Sequence, residues 1–274
     1  MKLLTLLLAV ALASPLALAQ TPASEGGAPQ LRLWTNRKYP PIPNPIFVSE
    51  TLLGGWSGQA WTAIDFQKLG VQQGDDDLAG VRVAGLFKPG TVVRLFHGDR
   101  RVGQARAGEL IFTTEQMYGD SFLRWPEWPQ KADLGLGGDW NPFPRKSTRG
   151  DKKLVKDAVA ALLTKNGVRK PGNPVIGRVD QVDVDNDGAV DFLVVAKRKK
   201  AYQLVAIVTP DKDRAVSVTF SKDEDGEDSL GMVKLVDANG DGKLELLVET
   251  YGLETHAVVL YEIRADKAEG VLSF

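Results

Sequence analysis

No cysteine occurs in this 274-residue chain, which excludes disulfides, zinc–thiolate sites and thiol nucleophiles together. Only two histidines are present, His97 and His256, and neither stands in an H-E-x-x-H motif or beside a second ligand, so both read as structural. Charge of one sign is also lacking. The 34 Lys and Arg nearly balance 35 Asp and Glu, for a net charge of −1, so no nucleic-acid partner is expected. Serine-hydrolase elbows and phosphate-binding P-loops are absent, and Gly135-Leu-Gly-Gly138 is a lone glycine cluster. Past the first twenty residues no apolar run is long enough to span a bilayer. What is left is an ordinary globular composition, 43% hydrophobic, in need of some reinforcement other than disulfides.

The N-terminal residues read as an address. Lys2 is a short positive region, Leu3 to Ala13 is an apolar core too short for an anchor, and Ala17-Leu18-Ala19 is a small-x-small cleavage site. The expectation is a signal peptide over residues 1–19, cleaved after Ala19. No cysteine follows to carry a lipid, so the mature protein is expected to be secreted or periplasmic, soluble and not membrane-spanning. Residues 20–30 are small, polar and Pro/Gly-bearing, and read as a disordered leader.

Two stretches carry the same acidic loop. They are Asp183-Val-Asp185-Asn-Asp187-Gly188-Ala189-Val-Asp191 and Asp237-Ala-Asn239-Gly-Asp241-Gly242-Lys243-Leu-Glu245. Each reads D-x-[DN]-x-D-G-x-x-[DE], with side-chain oxygens at positions 1, 3, 5 and 9. The glycine at position 6 allows a sharp turn, after which Ala189 or Lys243 aims a carbonyl inward. Four side-chain oxygen groups, one carbonyl and water match the six to eight oxygens that calcium takes. Asp, Asn and Gly also form plain turns, but four carboxylates within nine residues repel one another unless a cation is present. An EF-hand is excluded, because position 12 is Val194 or Val248 and each loop runs into a short apolar strand rather than a helix. Counting charge ranks the Asp183 loop ahead of the Asp237 loop, where Asn239 replaces a carboxylate. Two further acidic runs, Asp75 to Asp77 and Asp223 to Asp228, lack the spacing and read as solvated loops.

The loops belong to a longer repeat at an offset of 54 residues. Val182 maps to Val236, and Tyr202 to Val208 maps to His256 to Glu262. Each copy reads loop, strand, turn, strand, a β-hairpin pinned at its base by a metal. Two such hairpins can share one sheet or face each other as a small sandwich. Loops of this form followed by an apolar strand resemble the calcium loops of FG-GAP/VCBS-type repeats in exported proteins. That resemblance covers roughly the last 100 residues and implies that Asp183, Asp185, Asp187, Asp191, Asp237, Asn239, Asp241 and Glu245 hold calcium. Two copies cannot close a propeller of four or more blades.

Ahead of the repeat, short strands are expected at Phe47 to Leu53, Trp61 to Phe66, Val81 to Phe87, Thr91 to Phe96, Arg101 to Arg106 and Glu109 to Thr113. Their Gly-rich turns suggest a small barrel or sandwich over residues 31–146. Tyr39 to Pro45 must be extended. Trp125 to Arg145 is an irregular Pro/Trp/Gly segment, either a functional loop or a connector. One helix follows, with Leu154, Val155, Ala158, Val159, Ala161 and Leu162 at helical spacing, Asp151 at its start and Gly167 at its end. The expected class is therefore mainly β (α+β): an N-terminal β region, then over residues 147–274 a helix packed on a repeated hairpin domain. Trp56, Trp61, Trp125, Trp128 and Trp140 either stack on sugar rings or pack the interior. The functional expectation is a non-enzymatic binding or adhesion module at the cell envelope, with an unknown protein or carbohydrate partner. The competing expectation is an envelope hydrolase acting on carbohydrate, with the calcium domain as an accessory.

Overall fold

In the computed structural model, residues 33–35, 40–66, 69, 82–115, 120–169, 171–222, 229–252 and 256–274 are described. The expected signal peptide, the leader and the acidic runs at 75–77 and 223–228 lie outside them. The protein is mainly β. Sheet I holds β1 (Leu33–Thr35), β2 (Pro45–Val48), β3 (Thr51–Trp56), β4 (Trp61–Ala63), β5 (Arg82–Ala84), β6 (Val92–His97), β7 (Arg100–Arg106), β8 (Leu110–Glu115), β9 (Asp120–Arg124) and β10 (Leu134–Leu136). Sheet II holds β11 (Thr148–Arg149), β12 (Ile176–Val182), β13 (Asp191–Arg198), β14 (Tyr202–Thr209) and β15 (Arg214–Ser221). Sheet III holds β16 (Ser229–Val236), β17 (Glu245–Tyr251), β18 (His256–Ile263) and β19 (Ala268–Ser273). Pairing is antiparallel except between β1 and β5. The single α-helix among the described residues, α1 (Lys152–Lys165), precedes β12, and no described helix is long and apolar enough to cross a membrane.

Local chemistry sets the ends of α1. The Asp151 side chain accepts from the Lys153 amide, and past Asn166 the left-handed Gly167 lets the Gly167 and Val168 amides reach the Thr164 and Leu163 carbonyls. Its buried face is Val155, Val159, Leu162 and Leu163. The expected face was drawn too wide, since Leu154 is 60% exposed and Ala161 is also exposed.

The 54-residue repeat is more extensive than a pair of hairpins. At that offset β12, β13, β14 and β15 fall on β16, β17, β18 and β19, so each copy is a four-stranded meander. Each acidic loop is the connection inside the first hairpin of its meander, closing the pairs Val182↔Asp191 and Val236↔Glu245. The two copies form separate sheets stacked face to face.

Stacking makes four layers. Helix α1 covers one face of sheet II through Phe192, Val194, Leu204 and Ala206. The other face, with Leu193, Val205 and Ile207, meets Leu246 and Val248 of sheet III. The far face of sheet III, with Leu247, Val258, Leu260 and Leu272, packs on Ile46, Val48, Leu53, Leu134 and Leu136 of sheet I. Strands β13, β14 and β17 are thus buried on both sides, which is why they read as unbroken apolar runs rather than an alternation. Residues Arg32–Phe274 form one compact unit, and the expected boundary at residue 146 falls between β10 and β11.

Sheet I curls around its own core. Val93 and Leu95 of β6 and Leu110 and Phe112 of β8 belong to one cluster although four strands separate β6 from β8 in the sheet. The strand expected over Phe47 to Leu53 is a hairpin, β2 and β3, because Ser49 turns with a φ of 50°.

Candidate metal centre

Both loops fold alike because the same side chains capture the same amides. Position 1 takes the amide of position 6: Gly188 to Asp183 and Gly242 to Asp237, each at 3.1 Å. Position 5 takes the amide of position 7: Ala189 to Asp187 and Lys243 to Asp241, each at 2.8 Å. Position 9 reaches back to the amide of position 2: Val184 to Asp191 and Ala238 to Glu245, each at 2.8 Å. Asn186 or Gly240 at position 4, and glycine at position 6, supply the left-handed residues the turn requires.

In the first loop the carboxylates of Asp183, Asp185 and Asp187 converge, each offering an oxygen within 4.8 Å of the others. Asp185 Oδ1 is buried and has no hydrogen-bond partner among the described residues. An orphaned buried carboxylate oxygen is costly, and a cation in the group would satisfy it. Asp191 differs from its neighbours. It is 0% exposed, and its oxygens are already engaged by the Val184 amide, the Thr209 hydroxyl and Arg214 Nη2, the last at 3.3 Å. It locks the loop from beneath.

Two cations that charge counting along the sequence overlooks sit on this loop. Arg214 Nη1 reaches Asp185 Oδ2 at 3.1 Å, and Lys212 pairs with Asp187. They belong to β15 and the turn before it, and no local pattern ties them to the loop.

The second loop is deeper and, among the described residues, has no cation paired to it. Asp237, Asn239 and Glu245 are all buried. Burial, reinforced by the Asp241 and Asp237 charges, pushes the Glu245 carboxyl up to about 8 against the lowering effect of the Ala238 amide. Burial also raises Asp237, and Asp241 adds to it, despite backbone bonds from Gly240, Gly242 and Asn239. No cation pairs with these carboxylates among the described residues, and the nearby Arg145 is spent on the Gly242 carbonyl, so the oxygen set fits a hard cation.

Trp140 closes the second loop. Its indole nitrogen donates to the Asp237 carbonyl at 2.8 Å, and Asp237 N donates to the Pro142 carbonyl at 2.8 Å. The ring abuts Gly138 and Gly240, where an added Cβ would come within 1.8 and 2.8 Å of it. Arg94 of β6 holds the Trp140 carbonyl. The other tryptophans expected either to stack on sugars or to pack the interior are also engaged in packing. Trp125 is 3% exposed, Trp128 donates to the Ala132 carbonyl at 2.9 Å and packs on Phe47, and Trp56 packs at a tilt against Trp61. His256 stacks on Tyr251 and meets Glu249 at 3.1 Å, while His97 pairs with Asp133 at the surface.

A cleft of about 490 Å³ opens beside the loops where the sheets meet. Two of its carboxylates are committed to cations, Asp133 to Lys234 at 2.9 Å and Asp180 to Arg178 at 2.5 Å. No protein-family model, curated protein or solved structure matches this chain.

Proposed function

We propose that this is an exported, non-enzymatic protein whose two acidic loops bind calcium structurally, and which serves as a binding or adhesion module at the cell envelope. The observation that carries the reading is the convergence of Asp183, Asp185 and Asp187 around a buried oxygen left without a partner. All-oxygen donors with no thiolate or imidazole favour calcium or magnesium, and mixed carboxylate and carbonyl donors favour calcium. Residues of each loop would hold the ion: Asp183, Asp185 and Asp187 with the Ala189 carbonyl, and Asp237, Asn239 and Asp241 with the Lys243 carbonyl. Asp191 and Glu245 tie each loop to the strand that follows, so the ion pins β12 to β13 and β16 to β17. The loops join strands, which gives calcium no helix pair to open and makes a static role the consistent one. The N-terminal residues support export, and the paired state of Asp133 and Asp180 is consistent with binding rather than turnover. The partner is a protein or carbohydrate of the envelope.

Calcium should therefore raise the melting temperature. At ten times the dissociation constant each site adds about 1.4 kcal/mol. Extracellular modules bind at about 10⁻⁴ to 10⁻³ M, so millimolar calcium is the concentration to test. Thermal melts in calcium and in chelator decide the matter, and coincident midpoints reject the reading.

The cations on the first loop give a second expectation. Lys212 competes with calcium for Asp187, so Lys212→Gln should tighten calcium binding there by about tenfold, the order expected for removing a unit charge several ångströms from a divalent ion in water. Calorimetric titration of the variant against wild type checks it. Weaker binding in Lys212→Gln would mean that the lysine organises the loop instead of competing for it.

A further inference from the structure

The two loops touch. Leu244 N, at position 8 of the second loop, donates to the Val184 carbonyl, at position 2 of the first, at 2.8 Å. Arg145, from the segment between sheets I and II, grips both at once. Its Nη1 donates to Asn186 Oδ1 at 2.9 Å, and its Nη2 donates to the Gly242 carbonyl. Asn186 and Gly242 are left-handed residues, with φ of 61° and 82°, and so are points where each loop turns. The guanidinium meets only neutral acceptors in these two bonds, and its buried Nε has no partner among the described residues. Its fork therefore fixes the geometry of one loop relative to the other.

We propose that calcium binds the two loops with positive cooperativity, and that Arg145 is the positioning residue that couples them; this rests on the calcium reading above. An ion-free loop holds mutually repelling carboxylates in a turn that an ion would fix. Filling one loop fixes Val184 and Asn186, or Gly242 and Leu244, and with them the hydrogen bonds shared with the other loop. The second ion then meets a loop whose ordering cost is already met. Repulsion between the two ions works in the opposite sense. Each loop brings at least two ligand carboxylates against the two charges of its ion, which leaves little net charge to repel, so ordering dominates.

The test is a calorimetric calcium titration of the full chain at 0.15 M salt. Wild type should give a Hill coefficient of about 1.3 or more, against a ceiling set by two sites. Disabling the second loop with Asp241→Asn should weaken the first by about fivefold or more, and Asp187→Asn should do the same to the second. In an Arg145→Gln background those effects should shrink below about twofold. Arg145→Lys, which keeps the charge and loses the fork, should behave as Arg145→Gln does and serves if the latter fails to fold. A Hill coefficient of 1 or less in wild type overturns the cooperativity, and coupling that survives both Arg145 variants overturns the role of Arg145. No calcium uptake by wild type overturns the metal reading itself.

Discussion

Replacing Asp191 by alanine should cost about 3–5 kcal/mol of folding stability, the range for removing one partner of a buried ion pair. The carboxylate is fully buried and satisfies three donors from three places: Val184 in the loop, Thr209 at the end of β14 and Arg214 at the start of β15. Without it the Arg214 guanidinium, itself little exposed, loses one of its two carboxylate partners, and the Val184 amide loses its acceptor. For a unit of this size the loss should appear as a fall in melting temperature on the order of 10 °C. Asp191→Asn keeps an oxygen for Val184 and should cost less than alanine. Urea unfolding in chelator is the measurement, because it separates this lock from any ion. A loss for Asp191→Ala within about 1 kcal/mol would show that the loop holds without it.

Gly138→Ala should be the most damaging of the glycine substitutions around Trp140. Its φ of 75° disfavours any L side chain, by about 1–2 kcal/mol. In addition, the new methyl would lie 1.8 Å from the Trp140 ring, which Gly240 also abuts, so the indole must leave its slot. Overpacking of this kind typically adds about 1–3 kcal/mol. Gly90→Ala is the control: its φ is 83° and nothing lies within 4 Å of the added carbon, so it reports backbone strain alone. Equal losses in the two variants, measured by denaturant unfolding, would mean that the slot is not tightly filled. The larger loss expected for Gly138→Ala should come with looser amide protection in residues 237–245, because Trp140 holds the Asp237 carbonyl.

The acidic loops were legible in the sequence because everything that shapes them is local. The positions that bond to one another, Asp183 with Gly188 or Asp237 with Gly242, lie within nine residues. Helix α1 was legible for the same reason, through Asp151 and Gly167, although the pattern placed Leu154 inside when it faces out. Beyond local range the only signal is the 54-residue repeat. Arg145 contacts Gly242 from 97 residues away, Arg214 contacts Asp185 from 29, and neither interval carries a periodic signal. Strand β10 was missed because Leu-Gly-Leu sits in a Pro/Trp/Gly segment, yet the tertiary fold places it between β2 and β6. Strands β12, β15, β16 and β19 were missed although the 54-residue offset, followed outward from the loops, predicts each pair together.

The order of the layers also dictates an order of assembly. The face of sheet I built by Ile46, Val48, Leu53, Leu134 and Leu136 is covered by Val258, Leu260 and Leu272, more than a hundred residues later in the chain. A chain whose first half has already formed its strands must carry that apolar face uncovered until nearly the last strand docks. Contacts of such long sequence separation make folding slow, and the uncovered face is a site for association between incomplete chains. Chains ending before β19 should therefore aggregate through sheet I, far in sequence from the residues they lack.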